Sequence, residues 1–429
     1  MYYKPKKEIT IREYWIIWTK ENDWFWTWYH QVDETTFSEL ESFVLSEKNQ
    51  AEDLFHLSNK KWFWKVITAQ NYVWVLQTKS WTLIEVLPKI ANVENEEKTR
   101  RIVLRMLKTL KDSPFRNLND ANLRNQKFPI LEIFIQLFLS ELFLLVKKGI
   151  KKNYVEKEDN LKYIKWKLKI RDNISKNIFD HSKFYCEFDE FSEDTKENRL
   201  IKTCLVKVSK IAKNKKNLKD INLFLNYFSW VSVSKDIKAD LKLIDNLNRL
   251  HTYYLPTLKW VKLFLWNESV VNFKWDTLAL SLLFPMEKIF ESYVANVLKK
   301  KLSWHKVEAQ DTWKYLIEEH MEAKKFKLRP DIVIDGWLIV ADTKWKIVDS
   351  NDYYWNYWIS QADMYQLYAY AKKYNCNKLY LIYPKNENFT KELPAFKYEA
   401  DICLKAIPYD LEENDKNRRE IESDLLEML

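Results

Sequence analysis

The sequence predicts a mixed α/β chain. A β-rich region with one helix spans 1–95, a mainly helical region spans 96–270, a second α/β region spans 271–410, and a charged tail covers 411–429. Three observations carry that reading. Alternating apolar and polar residues, the mark of a half-buried strand, recur in the first ninety residues. Apolar residues at helical spacing take over from Glu96 to about Val146, and again from Asp194 to His251. Strand and helix patterns then alternate from near Phe284 to about Pro408.

The elements follow in order. "EITIREYW" alternates, "WKVITAQ" and "YVWVLQT" flank a turn at Gln70 and Asn71, and "TLIEVLP" closes the first region before Pro88. Between them "TFSELESFVLSEKNQAEDLF" has helical spacing. The helical region is broken by a loop around "DSPFRNLND". Its most apolar run, Phe128 to Gly149, is interrupted by Glu132, Gln136 and Glu141, which predicts a buried amphipathic helix rather than a membrane span. The basic, mixed stretch from Ile150 to Asn177 is predicted to contain a short hairpin, and the lysine-rich segment from Lys147 to Lys169 reads as a solvated surface, with contact to a phosphate backbone as the alternative. The tail "DLEENDKNRREIESDLLEML" reads as a peripheral helix.

Composition narrows the class. Apolar residues at 47% and charged residues at 31% describe a globular protein, and the net charge of +9 permits a polyanionic partner without requiring one. Cys186, Cys204, Cys376 and Cys403 lie far apart, which argues against a zinc ribbon or a disulfide framework. The N-terminus has no apolar signal core, so the expected location is the cytoplasm. The six histidines form no metal-binding pair, and no nucleophile elbow occurs.

Glycine is the anomaly. The chain has 2 glycines and 20 tryptophans, where average usage predicts about 30 glycines. Trp337 follows Asp335 and Gly336 in what should be a hairpin turn, and Trp81 sits in another strand-to-strand connection. Many of the tryptophans are therefore read as glycines in the living cell, encoded by UGA in a genetic code that assigns that codon to glycine. "DYYWNYWISQ" then becomes a glycine-containing loop leading into a helix. Trp345 is expected to be a true tryptophan.

The chemistry concentrates in "LRPDIVIDGWLIVADTKWK", Leu328 to Lys346. Two apolar strands flank a two-residue turn. With Gly336 and Trp337 as the turn, Asp331 lies opposite Asp342, and Lys344 follows on the same face. With Asp335 and Gly336 as the turn the register slides, yet the three stay on one face. Two carboxylates so close repel each other and call for a hard divalent cation such as Mg²⁺. Such an ion polarises a phosphoryl oxygen and lowers the pKa of a bound water, and the neighbouring lysine assists that water. The pattern P-D-x(10)-D-x-K resembles the PD-(D/E)xK nuclease superfamily, with Thr343 as the intervening residue.

Flanking helices extend the resemblance. "FPMEKIFESYVANVLKKKL" carries Glu287 and Glu291 one turn apart. In this superfamily such a helix often supplies a further acidic group; Glu291 is the preferred candidate and Glu287 the alternative. Downstream, Asp363, Gln366 and Tyr370 share a face, and Gln366-x-x-x-Tyr370 resembles an element that follows the catalytic hairpin in some of these nucleases. The alternative packs Tyr365, Leu367 and Tyr368 on the sheet and leaves the polar residues in solvent.

The order "MEKIFE", "LRPDIVI", "ADTKWK", "DMYQLYAYA", preceded by "YCEFDEFSEDTKENRLIK" and "TLIEVLPKI", is similar to the McrC family, the nuclease subunits of McrBC modification-dependent restriction systems. The likeness covers most of residues 60 to 375. It implies a C-terminal PD-(D/E)xK restriction-endonuclease-like domain over 271–410, with Asp331, Asp342, Lys344, Glu291 and Gln366 as the catalytic set. Mg²⁺ would be held by Asp331, Asp342, Glu291 and the backbone carbonyl of Thr343. It implies that residues 1–95 dock on and stimulate a hexameric McrB-like AAA+ GTPase, and that the substrate is duplex DNA carrying modified cytosine. In that family the positions of Trp166 and Trp81 are typically glycine. Asp194 is expected to cap the helix after it, with Asn198 and Arg199 as structural markers. No Walker A loop occurs even if every tryptophan is read as glycine, so GTP would be bound by the partner. Two rival readings remain: a repair or recombination nuclease of the same superfamily, and a non-cleaving adaptor of an AAA+ protein.

Overall fold

The computed structural model describes residues 7–19, 29–46, 55–60, 64–78, 80, 82–90, 95–110, 113–117, 128–242, 249–265, 280–310 and 314–412. Trp81, most of "NDWFWTWYH" and the expected tail helix lie outside the described residues. The chain divides into two compact units: residues 6–130 with 269–429, and residues 131–268 with 1–5. The N-terminal strands and the C-terminal α/β region thus belong to one unit.

That larger unit holds three principal sheets. Lys7–Arg12, Thr82–Leu87, Tyr72–Gln77 and Leu280–Pro285 are neighbours in one, the first pair parallel and the others antiparallel. Tyr29–Gln31, Ile16–Trp18, Trp64–Ala69 and Phe55–Lys60 make a second. The helix Glu34–Ser46 packs Phe37, Leu40, Phe43 and Val44 against apolar residues of both, including Ile11, Ile67 and Ile84. The strands on either side of Gln70 and Asn71 do not pair with each other; the chain crosses from one sheet to the next there. Phe55, at the end of the run with helical spacing, begins a strand and is fully buried. Leu280–Pro285 completes the N-terminal sheet, so the C-terminal sheet starts only after the helix Met286–Lys301.

The C-terminal sheet has six strands in the order Val307–Ala309, Ile332–Ile334, Ile339–Thr343, Lys378–Pro384, Cys403–Tyr409 and Phe396–Lys397. Ile339–Thr343, Lys378–Pro384 and Cys403–Tyr409 are parallel to one another, and the first two are almost wholly buried, as the unbroken apolar runs "LIVA" and "LYLIY" require. The helix Gln361–Tyr374 covers one face through Leu367, Tyr370, Ala371 and Tyr374. An exposed hairpin, Tyr315–His320 and Ala323–Lys327, precedes Arg329.

In the smaller unit, the helix Ile130–Lys148 buries Glu132, whose carboxylate accepts from the backbone N–H of Lys213 and Asn214 and from the side chain of Asn217. No helix among the described residues is long and apolar enough to cross a membrane. The hairpin expected within 150–177 is instead part of a three-stranded arrangement: Asn153–Leu161 and Lys167–Leu168 flank Phe184–Ser192 and do not pair with each other. The cap of the helix Lys196–Ile211 is Thr195, not Asp194. Asp194 is occupied by a two-pronged pair with Arg199, both bonds 2.8 Å, and buried Asn198 accepts from Tyr254 Oη at 2.8 Å. These motif residues hold the unit together.

The backbone bears on the tryptophan anomaly. Trp166, Trp337 and Trp358 sit in the left-handed region, with φ of 60°, 87° and 66°, where a Cβ is unfavourable and glycine is the usual occupant. Trp355 has φ −102° and needs no glycine. Trp18, Trp260 and Trp345 are buried side chains that their surroundings fit.

Candidate active site

The site begins at a hairpin. Ile332 pairs with Ala341, Val333 with Val340 and Ile334 with Ile339, which centres the turn on Gly336 and Trp337 and sets Asp331 opposite Asp342. Asp335 fastens the turn: its carboxylate accepts from Lys306 N at 2.8 Å and lies 2.5 Å from His305 Nδ1. The second strand continues alongside Lys378–Pro384, with Lys344 N donating to Ile382 O at 2.9 Å. The site carboxylates therefore stand on the most buried part of the sheet.

Asp342 is 1% exposed. Lys344 Nζ lies 2.5 Å from its Oδ2 as an ion pair, although that oxygen has no well-directed hydrogen bond. Asp331 accepts from Thr343 N at 2.7 Å and Thr343 Oγ1 at 2.8 Å. Glu291, on the helix Met286–Lys301, accepts from Gln310 Nε2 at 2.8 Å, and Gln310 N in turn donates to Asp331 O at 2.9 Å. Burial raises the pKa of all three carboxyls. Repulsion adds to it: Glu291 acts on Asp331, Asp331 on Asp342, and Asp342 on Glu291. The ammonium of Lys344 opposes that rise. Its own pKa stays above the ordinary lysine value, because the attraction of Asp342, Asp363 and Asp331 outweighs the burial that would lower it.

Glu291 is thus the helix carboxylate that faces the hairpin. Glu287 is exposed, and its charge acts instead on Glu13 and Tyr14. Gln366 Oε1 accepts from Lys344 Nζ at 3.0 Å, Gln366 Nε2 donates to Tyr370 Oη at 2.7 Å, and Tyr370 Oη donates to Arg329 O at 3.0 Å. A chain of hydrogen bonds thereby links the lysine to the backbone two residues before Asp331. Of the alternative packing only Leu367 lies in the core; Tyr365 is exposed and Tyr368 half-buried, while Asp363 and Tyr370 are buried rather than left in solvent.

The structure adds residues that the motif reading did not include in the site. Asp363, buried at 6%, pairs with Lys346 at 2.7 Å and lies 3.8 Å from Lys344. Its spacing from Gln366 and Tyr370 on one helix face was the available signal. Trp345 donates from Nε1 to Glu13 across 3.1 Å, a contact 332 residues apart that no local pattern foretells. Among the described residues no three carboxylate, histidine or cysteine groups converge into a ready-made metal cage.

The family model described as the McrBC 5-methylcytosine restriction system component matches residues 67–384 of the 429. The chain belongs to that family. Among solved structures, an McrC chain bound to Thermococcus gammatolerans McrB AAA+ hexamers, in a tetradecameric assembly, matches with a TM-score of 0.70 at 17% identity; the match covers 99% of this chain and 100% of that one. A second structure of the Thermococcus gammatolerans McrBC complex matches with a TM-score of 0.51 at 18% identity, over 72% of this chain and 90% of that one. At such identities the likeness establishes the McrC-like fold. Curated protein sequences gave no significant match.

Proposed function

We propose that this McrBC-family chain is the DNA-cleaving subunit of a GTP-dependent restriction complex, with a PD-(D/E)xK site on its C-terminal sheet. The observation that carries the reading is the hairpin that sets Asp331 opposite Asp342, with Lys344 in an ion pair with Asp342 and the half-buried Glu291 near enough that the three carboxyls raise one another's pKa. Carboxyls kept together at such cost favour a functional site over a structural one. The donor set, oxygen only and mutually repelling, suits Mg²⁺. Asp331, Asp342, Glu291 and the Thr343 carbonyl would hold it, and bound there it would supply charge neutralisation at the scissile phosphate.

The chain's own residues account for the rest. Lys344 is held among Asp342, Asp363 and Gln366, so its ammonium has a fixed place from which to orient a water or offset charge developing on the phosphate. Gln366, anchored through Tyr370, limits the positions that ammonium can adopt. Thr343 fixes the orientation of Asp331.

The partner in this reading is an McrB-like AAA+ GTPase hexamer and the substrate is duplex DNA bearing modified cytosine. A docking surface is available in the smaller unit. The short helix Ile170–Lys176 buries none of its residues, and Tyr163, Ile164, Ile170, Ile174 and Phe179 are all more than half exposed. Exposed apolar area of this extent marks a contact surface. Docking is therefore assigned to this unit, in addition to the region 1–95 expected from sequence. The test mixes the chain with an McrB-type GTPase, GTP, Mg²⁺ and duplex DNA. Cutting that Asp342→Ala abolishes supports the nuclease; stimulation of GTP hydrolysis without any cutting would establish the adaptor.

A further inference from the structure

Glu13 is a buried carboxyl outside the candidate catalytic set, which it reaches only through Trp345. It follows the strand Lys7–Arg12, and its backbone N–H donates to Leu87 O at 3.0 Å. Its side chain is 1% exposed. Oε2 accepts from Trp345 Nε1 and from Lys89 N, both at 3.1 Å, and Oε1 has no hydrogen-bond partner among the described residues. The carboxyl lines a small pocket with Tyr14, Lys89, Trp345, Lys346 and Lys385.

The ring that Glu13 holds is placed between two members of the site. Trp345 directly follows Lys344. Its ring meets Phe290 edge-on, with centroids 5.3 Å apart, and Phe290 directly precedes Glu291. A shift of the Trp345 ring therefore displaces the backbone of Lys344, the helix turn that bears Glu291, or both. We infer that Glu13 is a positioning residue that clamps Trp345 and through it sets the relative placement of Lys344 and Glu291, tying the N-terminal sheet to the candidate cleavage site.

The energetics favour this over a purely structural role. A buried carboxyl with one unpartnered oxygen is costly, and well-packed apolar residues often serve stability as well or better. Burial pushes the Glu13 carboxyl up to about 7; the Trp345 and Lys89 hydrogen bonds pull it down, and Glu287 pushes it further up. Neutral or charged, the group keeps an oxygen for the indole N–H. Glutamine keeps that acceptor, and leucine removes it.

The inference rests on the nuclease reading, so the experiment separates the two. DNA cleavage is measured with the McrB-type partner, GTP and saturating Mg²⁺ for wild type, Lys344→Ala, Glu13→Leu, Glu13→Gln, Trp345→Phe and the Glu13→Leu/Trp345→Phe double variant. Glu13→Leu and Trp345→Phe should each lower kcat by about 10- to 100-fold with KM for DNA unchanged, the scale of a sub-ångström to ångström misplacement. The double variant should be no worse than the poorer single one, and Glu13→Gln should cut within about 3-fold of wild type, since its indole acceptor survives. If Glu13→Leu does not fold, Trp345→Phe set against Glu13→Gln carries the test, because Glu13→Gln keeps shape and acceptor while Trp345→Phe keeps an aromatic ring beside Phe290 without the indole N–H. Wild-type rates in Glu13→Leu or Trp345→Phe, or losses that multiply in the double variant, would overturn the clamp alone. A wild-type chain no more active than Lys344→Ala would overturn the nuclease reading and the clamp with it.

Discussion

Replacing Asp342 with asparagine should make the protein more stable while it ends any cleavage. In the native chain burial, and then the charge of Asp331, lift the Asp342 carboxyl from 3.8 to about 7, against the pull of Lys344. At about 1.4 kcal/mol per pKa unit, ionising it in the folded state costs on the order of a few kcal/mol. Asparagine has nearly the same shape and carries no charge. It forgoes the ion pair with Lys344, a pull already contained in that raised pKa, and Lys344 keeps Gln366 at 3.0 Å and Asp363 at 3.8 Å, so the variant should be more stable by on the order of a few kcal/mol at most. The sign with pH follows from a folded-state pKa above the unfolded one. Wild type is at no disadvantage below about 4, loses stability as pH rises through about 7, and carries the full deficit above it. Urea unfolding at pH 5 and pH 8, without divalent ions, should show the Asp342→Asn advantage growing between the two. Adding Mg²⁺ at pH 8 should stabilise wild type by about 1.4 kcal/mol at ten times its dissociation constant and the variant much less. An Asp342→Asn chain less stable than wild type at pH 8, or an equal response to Mg²⁺ in both, would refute the repelling-carboxylate account.

Other outcomes follow from the same structure. Gln366→Leu should lower the cleavage rate by about 10-fold or more through a loosened Lys344, while Mg²⁺ stabilises it as it does wild type; loss of the Mg²⁺ response would place Gln366 elsewhere in the site. The buried pair of Glu85 and Arg100, 2.6 Å apart and 3% and 6% exposed, should cost about 3–5 kcal/mol when Arg100→Leu strands the carboxylate, and much less in the Glu85→Leu/Arg100→Leu double variant. Equal losses in single and double variants, measured by urea unfolding, would contradict this. Trp166→Gly should stabilise by about 1 kcal/mol, because the ring is 84% exposed and the residue sits at φ 60°. The codons of Trp166, Trp337 and Trp358 should be UGA and that of Trp345 UGG; UGG at the first three would end the recoding account.

The legible part of the fold was the part written in local pattern. The hairpin register needed only "PDIVIDGWLIVADTKW", because an apolar pair of strands closing on Gly336 and Trp337 admits few registers, and each keeps Asp331, Asp342 and Lys344 on one face. Gln366 and Tyr370 were legible through helical spacing. Sheet membership was not. Alternation marks Trp64–Ala69 and Tyr72–Gln77 as strands but says nothing of their partners, and they joined different sheets. Likewise Leu280–Pro285 reads as the start of the C-terminal region, yet its partner is Tyr72–Gln77, some two hundred residues earlier. Glu13 was out of reach for the same reason: its meaning lies in one indole at the far end of the chain. Asp194 was misread because Thr195 competes for the cap and Arg199 offers the aspartate a stronger partner.

The claim that this family member cleaves modified DNA is tested most directly by one assay. The chain, with each codon read as its own cell reads it, is incubated with its McrB-type partner, GTP and Mg²⁺ on methylated and unmethylated plasmids, beside Lys344→Ala. The account predicts cutting of the methylated plasmid alone, absent from the variant. Cutting of both plasmids would point to a repair-type nuclease, and GTP hydrolysis stimulated with neither plasmid cut would contradict the account outright.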